Sequence, residues 1–174
     1  MSEALKPGGG VKPDLPFTPV RVAVLTISDT RDEASDTSGQ ILVERVKTAG
    51  HELAGRAVVR DDIEQIRAQV RSWIGGKAVD AIVTTGGTGL TGRDVTVEAL
   101  EPLFDKTIDG FSVVFHLVSY ASVGLSTLQS RATAGLIDGV FVFCLPGSNG
   151  AVKDGWDKVI SAQLDSRHKP CNMV

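Results

Sequence analysis

The alternation of predicted strands and helices constrains the fold of this chain more than any other feature of its sequence. Apolar, β-branched runs are typical of strands buried on both faces of a sheet, and helices with one apolar side are typical of the layers that cover it. Strands are predicted over 21–27, 52–59 and 79–85, and helices over 40–48, 63–74 and 95–104. This alternation predicts an α/β fold with three layers, a mostly parallel sheet flanked by helices on both faces.

The second half of the chain adds a hairpin and two more helices. Asp138 and Gly139 separate two apolar runs within residues 133–145, which predicts a short β-hairpin with a tight turn. A last helix is predicted over 151–164. The segment 111–120 is apolar around most of a helix circumference, so we expect it to lie at the centre of the fold or against another subunit.

Length and composition favour one domain. A chain of 174 residues is long enough to bury a core, and we place the domain at 20–165. Residues 1–19 are rich in proline and contain three consecutive glycines, so we expect a flexible tail rather than a folded element. Residues 166–174 form a C-terminal tail.

Charge and residue usage exclude several classes of function. Lys and Arg total 18 against 21 Asp and Glu, so the chain lacks the positive field that nucleic-acid binding requires. We find no signal peptide and no segment expected to cross a bilayer, and we therefore expect a cytoplasmic protein without a membrane partner. The two cysteines and three scattered histidines do not match a disulfide framework or a zinc site.

A glycine-rich loop follows the third predicted strand and precedes a helix. Its residues are Thr84, Thr85, Gly86, Gly87, Thr88 and Gly89. Glycines at this position let backbone N–H groups converge on an anion, and the helix N-terminus adds a favourable potential. A tight turn without a ligand is the plainer alternative, but three glycines among four residues flanked by hydroxyls favour a phosphate site.

Two familiar phosphate-binding motifs do not describe this loop. The Lys-Ser/Thr pair of a P-loop is absent. Gly87, Gly89 and Gly92 match the dinucleotide-binding spacing. That pattern belongs after the first strand of a βαβ unit, with an acidic residue after the second. We therefore interpret the match as accidental.

Polar residues follow the ends of all three predicted strands. Thr26, Ser28 and Asp29 end the first, Asp61 and Asp62 follow the second, and Asp94 follows the glycine loop. Carboxyl ends of parallel strands share one edge of a sheet, where ligands bind. Carboxylates repel phosphate, so their presence there favours a bridging divalent cation such as Mg²⁺.

Each charged residue also has a structural alternative. Asp61 or Asp62 could cap the helix that follows, and Asp94 could cap its own helix. Arg93 and Arg131 could neutralise phosphate or could be ordinary surface cations.

Several motifs together resemble the MoaB/MogA family of molybdenum cofactor biosynthesis proteins, which is related to the N-terminal domain of gephyrin. The matching segments are Thr26-x-Ser28-Asp29, Asp36-x-Ser38-Gly39, Thr84 to Gly89, Gly92-Arg93-Asp94-x-Thr96-x-Glu98-Ala99, Ser130-Arg131 with Ala134-Gly135, and Leu145-Pro146-Gly147-Ser148. Residues 126–131 and 169–172 resemble the MoaB branch in particular.

The resemblance implies a molybdopterin-binding fold that assembles into homotrimers or homohexamers. It also implies that Mg²⁺ and ATP are used to adenylylate molybdopterin at its terminal phosphate, with release of pyrophosphate. A non-catalytic module that only binds or carries molybdopterin is the alternative. Other cofactor-biosynthesis proteins are candidate partners.

The resemblance also implies roles for individual residues. Asp61 and Asp94 correspond to the family's catalytic acidic residues, and they are the expected Mg²⁺ ligands. The expected substrate contacts are Thr26, Ser28, Thr85, Gly86, Gly87, Thr88, Gly89, Ser130, Arg131, Pro146, Gly147 and Ser148. The sequence departs from the family pattern at Val97, where proline is frequent, and at Asn149-Gly150, which replaces the usual Leu-Pro-Gly-x-Pro ending.

Overall fold

Strands and helices alternate along most of the computed structural model, which describes residues 8–174. The strands are β1 (Gly10–Val11), β2 (Arg21–Ile27), β3 (Glu52–Val59), β4 (Ala81–Thr85), β5 (Lys106–Thr107), β6 (Thr133–Ile137), β7 (Val140–Leu145) and β8 (His168–Lys169). The helices are α1 (Thr37–Thr48), α2 (Ile63–Gly75), α3 (Thr96–Leu100), α4 (Asp109–Val123), α5 (Asn149–Gly155) and α6 (Ser161–Leu164).

The central sheet has the strand order β3-β2-β4-β7-β6-β5. β3, β2, β4 and β7 are parallel to one another, and β6 runs antiparallel to both of its neighbours, β7 and β5. All residues of β4 are buried, as expected for a central strand covered on both faces. The predicted mostly parallel sheet and its β6–β7 hairpin are both confirmed.

Two hydrophobic cores lie on opposite faces of this sheet. On one face, α1, α4 and the last helical region cover a core that includes Leu42, Phe115 and Trp156. On the other face, α2 and α3 cover a core that includes Ile66 and Leu100. The expected three-layer α/β arrangement is therefore confirmed.

Several short elements depart from the sequence-based predictions. The helix predicted over 95–104 is only α3, followed by a 3₁₀ turn at Glu101–Leu103, since Pro102 lacks the N–H that a longer α-helix needs. The last helix starts at Asn149 and contains a π-helical stretch at Trp156–Ile160. β5 was not predicted, because two exposed residues carry no periodic pattern.

The two tails pair with each other in their described parts. β1 and β8 form a two-stranded antiparallel sheet, in which Gly10 faces Lys169 and Val11 faces His168. The Lys12 N–H also donates to the Arg167 carbonyl at 3.0 Å. The expectation that residues 1–19 contain no folded element therefore does not hold for residues 10 and 11, while residues 1–7 lie outside the described part.

The α4 segment corrects the expectation about bilayer-spanning length. Residues 109–129, which include α4 and a following 3₁₀ helix, are long and apolar enough by length and composition to cross a membrane. Phe111 and Phe115 of this segment are buried against the sheet, next to Phe143 of β7. Its other side exposes several large apolar residues: Val113, Val114, Leu117, Tyr120, Val123, Leu125 and Leu128. We call this surface the α4 apolar face.

Candidate functional site

The glycine loop, residues 86–95 between β4 and α3, begins with two residues in a left-handed conformation. Gly86 has φ 101° and Gly87 has φ 69°. A side chain at Gly86 would overlap the carbonyl oxygen of Ile27, so the loop passes directly against the end of β2. Glycine is required here because L side chains rarely adopt this conformation and no room exists for them.

The first four carbonyl oxygens of the loop, those of residues 86–89, all accept hydrogen bonds from the protein. Thr96 donates its hydroxyl and its N–H to the first two, at 2.8 and 3.0 Å. Arg131 donates its backbone N–H and its Nε to the last two, both at 2.9 Å. With these carbonyls occupied, the partial negative charge of the loop faces the protein.

The backbone N–H groups of Gly87 and Thr88 donate to no acceptor within residues 8–174. Thr88 is nevertheless buried, with 2% of its surface exposed. Successive N–H groups with mixed-handed backbone form anion-binding concavities. These two N–H groups are therefore available to an anion, as the phosphate interpretation of the loop requires.

Asp61 follows β3 and lies beside this loop. A Cβ placed on Gly87 would be 3.0 Å from Asp61 Oδ1. Burial raises the pKa of Asp61, and the nearby negative charges of Asp29 and Asp94 raise it further. Asp62, and not Asp61, caps α2, by accepting the Gln65 N–H at 2.9 Å. Asp61 therefore has no capping role and carries a charge that its surroundings disfavour.

Asp94 closes the far end of the glycine loop. Its Oδ2 accepts from the Thr91 N–H at 3.0 Å and from the Thr91 hydroxyl at 2.6 Å. Burial opposes ionisation of Asp94, but these hydrogen bonds and one from the Gly89 N–H outweigh it and lower the pKa. Asp94 does not cap α3, whose N-cap is Val95. The structure thus places Asp61 and Asp94 at the two ends of one loop.

Asp29 adds a third carboxylate at this edge. Its Oδ1 accepts the Asp61 N–H at 3.3 Å, and its Oδ2 accepts from Arg93 Nε at 2.8 Å. The hydrogen bond from Arg93 lowers the pKa of Asp29. Arg93 is therefore paired with a carboxylate that the sequence-based assignment of site residues did not include.

A cleft of about 380 Å³ opens next to the glycine loop. Its lining includes the predicted contacts Thr26, Ser28, Thr85, Gly86, Gly147 and Ser148. It also includes Arg31 and Ser38, which donate and accept one hydrogen bond at 3.1 Å. Sequence reasoning missed Arg31, although it is the first cation after β2 and could have been noticed for that reason.

Two threonine hydroxyls in this cleft already have protein partners. Thr26 donates to Asp36 Oδ2 at 2.7 Å, and Asp36 itself caps α1 by accepting from the Gly39 N–H. Thr85 donates to the Pro146 carbonyl at 3.0 Å, which ties the glycine loop to the turn after β7. Ser148 is exposed and caps α5. Thr26 and Thr85 therefore shape the cleft, and their protons are not free for a ligand.

Ser130 and Arg131 do not line this cleft. They border a separate pocket of about 480 Å³ that also contains Asp109 and His116. The Ser130 carbonyl lies 3.0 Å from His116 Nε2, and its hydroxyl oxygen is buried without a protein partner in the described chain. The family resemblance had led us to expect both residues among the substrate contacts. In the folded chain Arg131 contacts the carbonyl side of the loop. The two residues reach this edge because β6 runs antiparallel to β7, so that its first residue lies beside the end of β7.

The donor groups at the edge fit a magnesium ion. Within residues 8–174, no group of three His, Cys, Asp or Glu side chains is arranged around one point. Mg²⁺ is usually held by one or two carboxylates together with substrate phosphates and water, so such a group is not required. The raised pKa of Asp61 among other carboxylates is the property expected of a position that a cation would neutralise.

Comparison with known proteins identifies the fold's relatives. A family model described as a probable molybdopterin binding domain matches residues 23–166. The chain belongs to this family.

Members of the molybdopterin-binding family resemble the chain over nearly its whole length. Molybdenum cofactor biosynthesis protein B of Escherichia coli K12 is 46% identical over 156 residues, which are 90% of this chain and 92% of that protein. The Bacillus cereus protein of the same name is 45% identical over 146 residues, covering 83% of this chain and 86% of that protein. The predicted MoaB/MogA resemblance is confirmed.

Solved structures of family members share the fold. A crystal structure of molybdenum cofactor biosynthesis protein B superposes with a TM-score of 0.82 at 44% identity, covering 84% of this chain and 92% of that one. The tungsten cofactor synthesizing protein MoaB from Pyrococcus furiosus superposes with a TM-score of 0.73 at 39% identity, covering 80% and 89%.

Proposed function

We propose that this chain acts in molybdenum cofactor biosynthesis by adenylylating molybdopterin at its terminal phosphate, with Mg²⁺ and ATP and with release of pyrophosphate. Membership of the molybdopterin-binding family and relatives named for molybdenum cofactor biosynthesis support the pathway. The single observation that carries the chemistry is that Asp61 and Asp94 flank a loop in which two backbone N–H groups have no acceptor among the described residues.

The proposed reaction needs no general base on the protein. A phosphate monoester has its second pKa near 6 and is largely dianionic at neutral pH. An oxygen of the molybdopterin phosphate forms a bond to the α-phosphorus of ATP, and the bond from that phosphorus to the bridging oxygen of the β-phosphate breaks. The electron pair leaves with pyrophosphate, so atoms and charge balance.

Protein residues supply binding and alignment in this proposal. The N–H groups of Gly87 and Thr88 would donate to phosphoryl oxygens, and such fixed donors stabilise developing charge without reorganisation. Asp61 and Asp94 would hold Mg²⁺, which when bound neutralises phosphate charge. Ser28, Arg31 and Ser148 are among the polar residues that line the adjoining cleft, and they would contact the remainder of a substrate.

The test is product formation by carboxylate-to-amide variants. Purified protein is incubated with ATP, molybdopterin and Mg²⁺, and pyrophosphate is measured. Asp61→Asn and Asp94→Asn should each lower the rate at least roughly 100-fold, the effect typical of losing one charge-stabilising group. Asp62→Asn is the matched control, since asparagine also caps a helix and this carboxylate accepts the Gln65 N–H at the start of α2. Unchanged rates in both test variants would refute the assignment.

A non-catalytic molybdopterin-binding module is the second candidate. The matching family model favours it, because its description, a probable molybdopterin binding domain, refers to binding and not to turnover. This candidate requires molybdopterin binding without pyrophosphate release and with little dependence on either aspartate. The same assay, run beside equilibrium binding of molybdopterin, separates the two functions.

We also propose a homotrimeric or homohexameric, cytoplasmic protein with other cofactor-biosynthesis proteins as partners. The α4 apolar face supports self-association, because contiguous exposed apolar surface of this kind marks interaction sites. Light scattering at micromolar protein measures the mass directly, and a monomer would contradict the proposal.

A further inference from the structure

Arg131 lies behind the glycine loop and donates to it at both ends. Besides its backbone N–H to Thr88, its Nε donates to the Gly89 carbonyl at 2.9 Å, and its Nη2 donates to the Asp94 carbonyl at 3.1 Å. Its Nη1 and Nη2 also donate to the two carboxylate oxygens of Glu98 on α3. Every nitrogen of the residue therefore has an acceptor within the loop or α3.

Together with the contacts of Thr96 to the first two carbonyls, these contacts determine which way the loop faces. A carbonyl oxygen turned toward the anion would repel it, whereas the carbonyls of Thr88 and Gly89, held by Arg131, are directed away from the ligand side. The contact at Asp94 fixes the backbone of the residue whose carboxylate closes the loop. A planar guanidinium suits this task, because its donors form a rigid fork that reaches several acceptors at once.

We propose that Arg131 is a positioning residue, anchored by Glu98, which holds the glycine loop in its anion-binding conformation and does not itself contact phosphate. The proposal deepens the proposed function and rests on the phosphate site assigned there. It differs from the sequence-based expectation, in which Arg131 neutralises substrate charge.

The two roles predict opposite effects of removing Glu98. If Arg131 bound phosphate, Glu98→Gln would release the arginine and remove a repelling negative charge, so anion binding would strengthen. If Arg131 positions the loop, the same change removes its anchor, and anion binding should weaken. The expected weakening is roughly twofold to fivefold, the range for a partly exposed ion pair.

The experiment measures binding of inorganic pyrophosphate with Mg²⁺ by calorimetry, together with pyrophosphate release from ATP and molybdopterin. Arg131→Gln should weaken pyrophosphate binding roughly 10- to 100-fold, as is typical of partners that orient a binding group. Arg131→Lys should resemble Arg131→Gln, because lysine keeps the charge but loses the fork. Thermal denaturation of each variant identifies any that are unfolded at the assay temperature.

Arg67→Gln is the matched control. Arg67 also donates to carbonyls of α3, those of Ala99 at 2.8 Å and Glu98 at 3.3 Å, but within residues 8–174 it makes no hydrogen bond to the glycine loop. Arg67→Gln removes the same charge as Arg131→Gln, also close to α3, so pyrophosphate binding should stay within about twofold of the wild type.

The outcomes separate this proposal from the proposed function. Weaker binding in Glu98→Gln and in both Arg131 variants supports the positioning role even when no adenylylated product forms. Stronger or unchanged binding in Glu98→Gln, or full binding in Arg131→Lys, overturns it even when the wild type is active. A wild type that does not bind pyrophosphate overturns both, since no anion site would exist to be held.

Discussion

Replacing Asp61 by asparagine should stabilise the protein while it removes activity. Burial and two neighbouring carboxylates raise the pKa of Asp61, so the ionised form is less favourable in the folded chain than in the unfolded chain. An amide of the same shape carries no charge and does not incur this cost. Function and stability would then be in conflict at this residue, as is common at binding sites.

The magnitude is modest because Asp61 remains partly exposed. After an allowance for solvent screening, we expect a gain of about 0.5–1 kcal/mol at pH 7 in the free energy of unfolding. For a chain of this size, 1 kcal/mol corresponds to roughly 2–4 °C in the midpoint of thermal unfolding. Asp62→Asn, which keeps its helix cap, should change stability by less than about 0.5 kcal/mol.

The sign of the pH dependence follows from the direction of the pKa shift. A carboxyl whose pKa is raised on folding contributes stability below its unfolded pKa, near 3.9, and loses that contribution as the pH rises through the folded value. The advantage of Asp61→Asn should therefore be absent in acid and grow toward neutral pH. Thermal unfolding is followed from pH 3.5 to 7.5 at one protein concentration, in chelator and again with Mg²⁺.

Two results would refute this reasoning. The first is an Asp61→Asn variant less stable than the wild type at pH 7 in chelator. The second is a stability difference that does not change between acid and neutral pH. Mg²⁺ should raise the unfolding midpoint of the wild type more than that of the variant, because only the wild type has the carboxylate to be neutralised.

Three further predictions concern other parts of the fold. Gly87→Ala should lower the free energy of unfolding in urea by about 1–3 kcal/mol and abolish pyrophosphate binding, because a methyl group there would overlap the Thr96 hydroxyl. Gly92→Ala is the control, and it should change neither quantity because the space around Gly92 is open. Leu117→Asp on the α4 apolar face should lower the mass measured by light scattering, and an unchanged oligomer would exclude this face as the interface. Burial raises the pKa of the Cys144 thiol to about 12, so a thiol reagent at pH 8 should label only the exposed Cys171, and two labelled cysteines in the folded protein would contradict the packing.

The α/β layers could be predicted from sequence because each element carries its own pattern. The run Arg21–Ile27 is mostly apolar, as is typical of a strand covered on both faces. Asp36 and Asp62 indicate where α1 and α2 begin, since an aspartate before a helix accepts a hydrogen bond from one of the free N–H groups of its first turn. By contrast, β1, β5 and β8 have two residues each and form only because partners distant in sequence meet them.

The positions of individual site residues could be predicted less completely from the sequence. The glycine loop and Asp61 could be assigned to one edge because carboxyl ends of parallel strands coincide there. The position of Arg131 depends on the antiparallel strand β6, which brings it behind the loop, and no local pattern encodes that. Thr26 carries a hydroxyl suited to a ligand, but only the folded chain shows that this hydroxyl donates its hydrogen bond to Asp36.

The sequence by itself determined the layers, the edge at which ligands gather and the residue types available there. These depend on hydrophobic periodicity, helix capping and the backbone freedom of glycine, which act over a few neighbouring residues. Tertiary structure alone decided which polar groups remain free. Hydrogen-bond partners lie tens of residues apart along the chain, and each donor that finds one inside the protein is no longer available to a ligand.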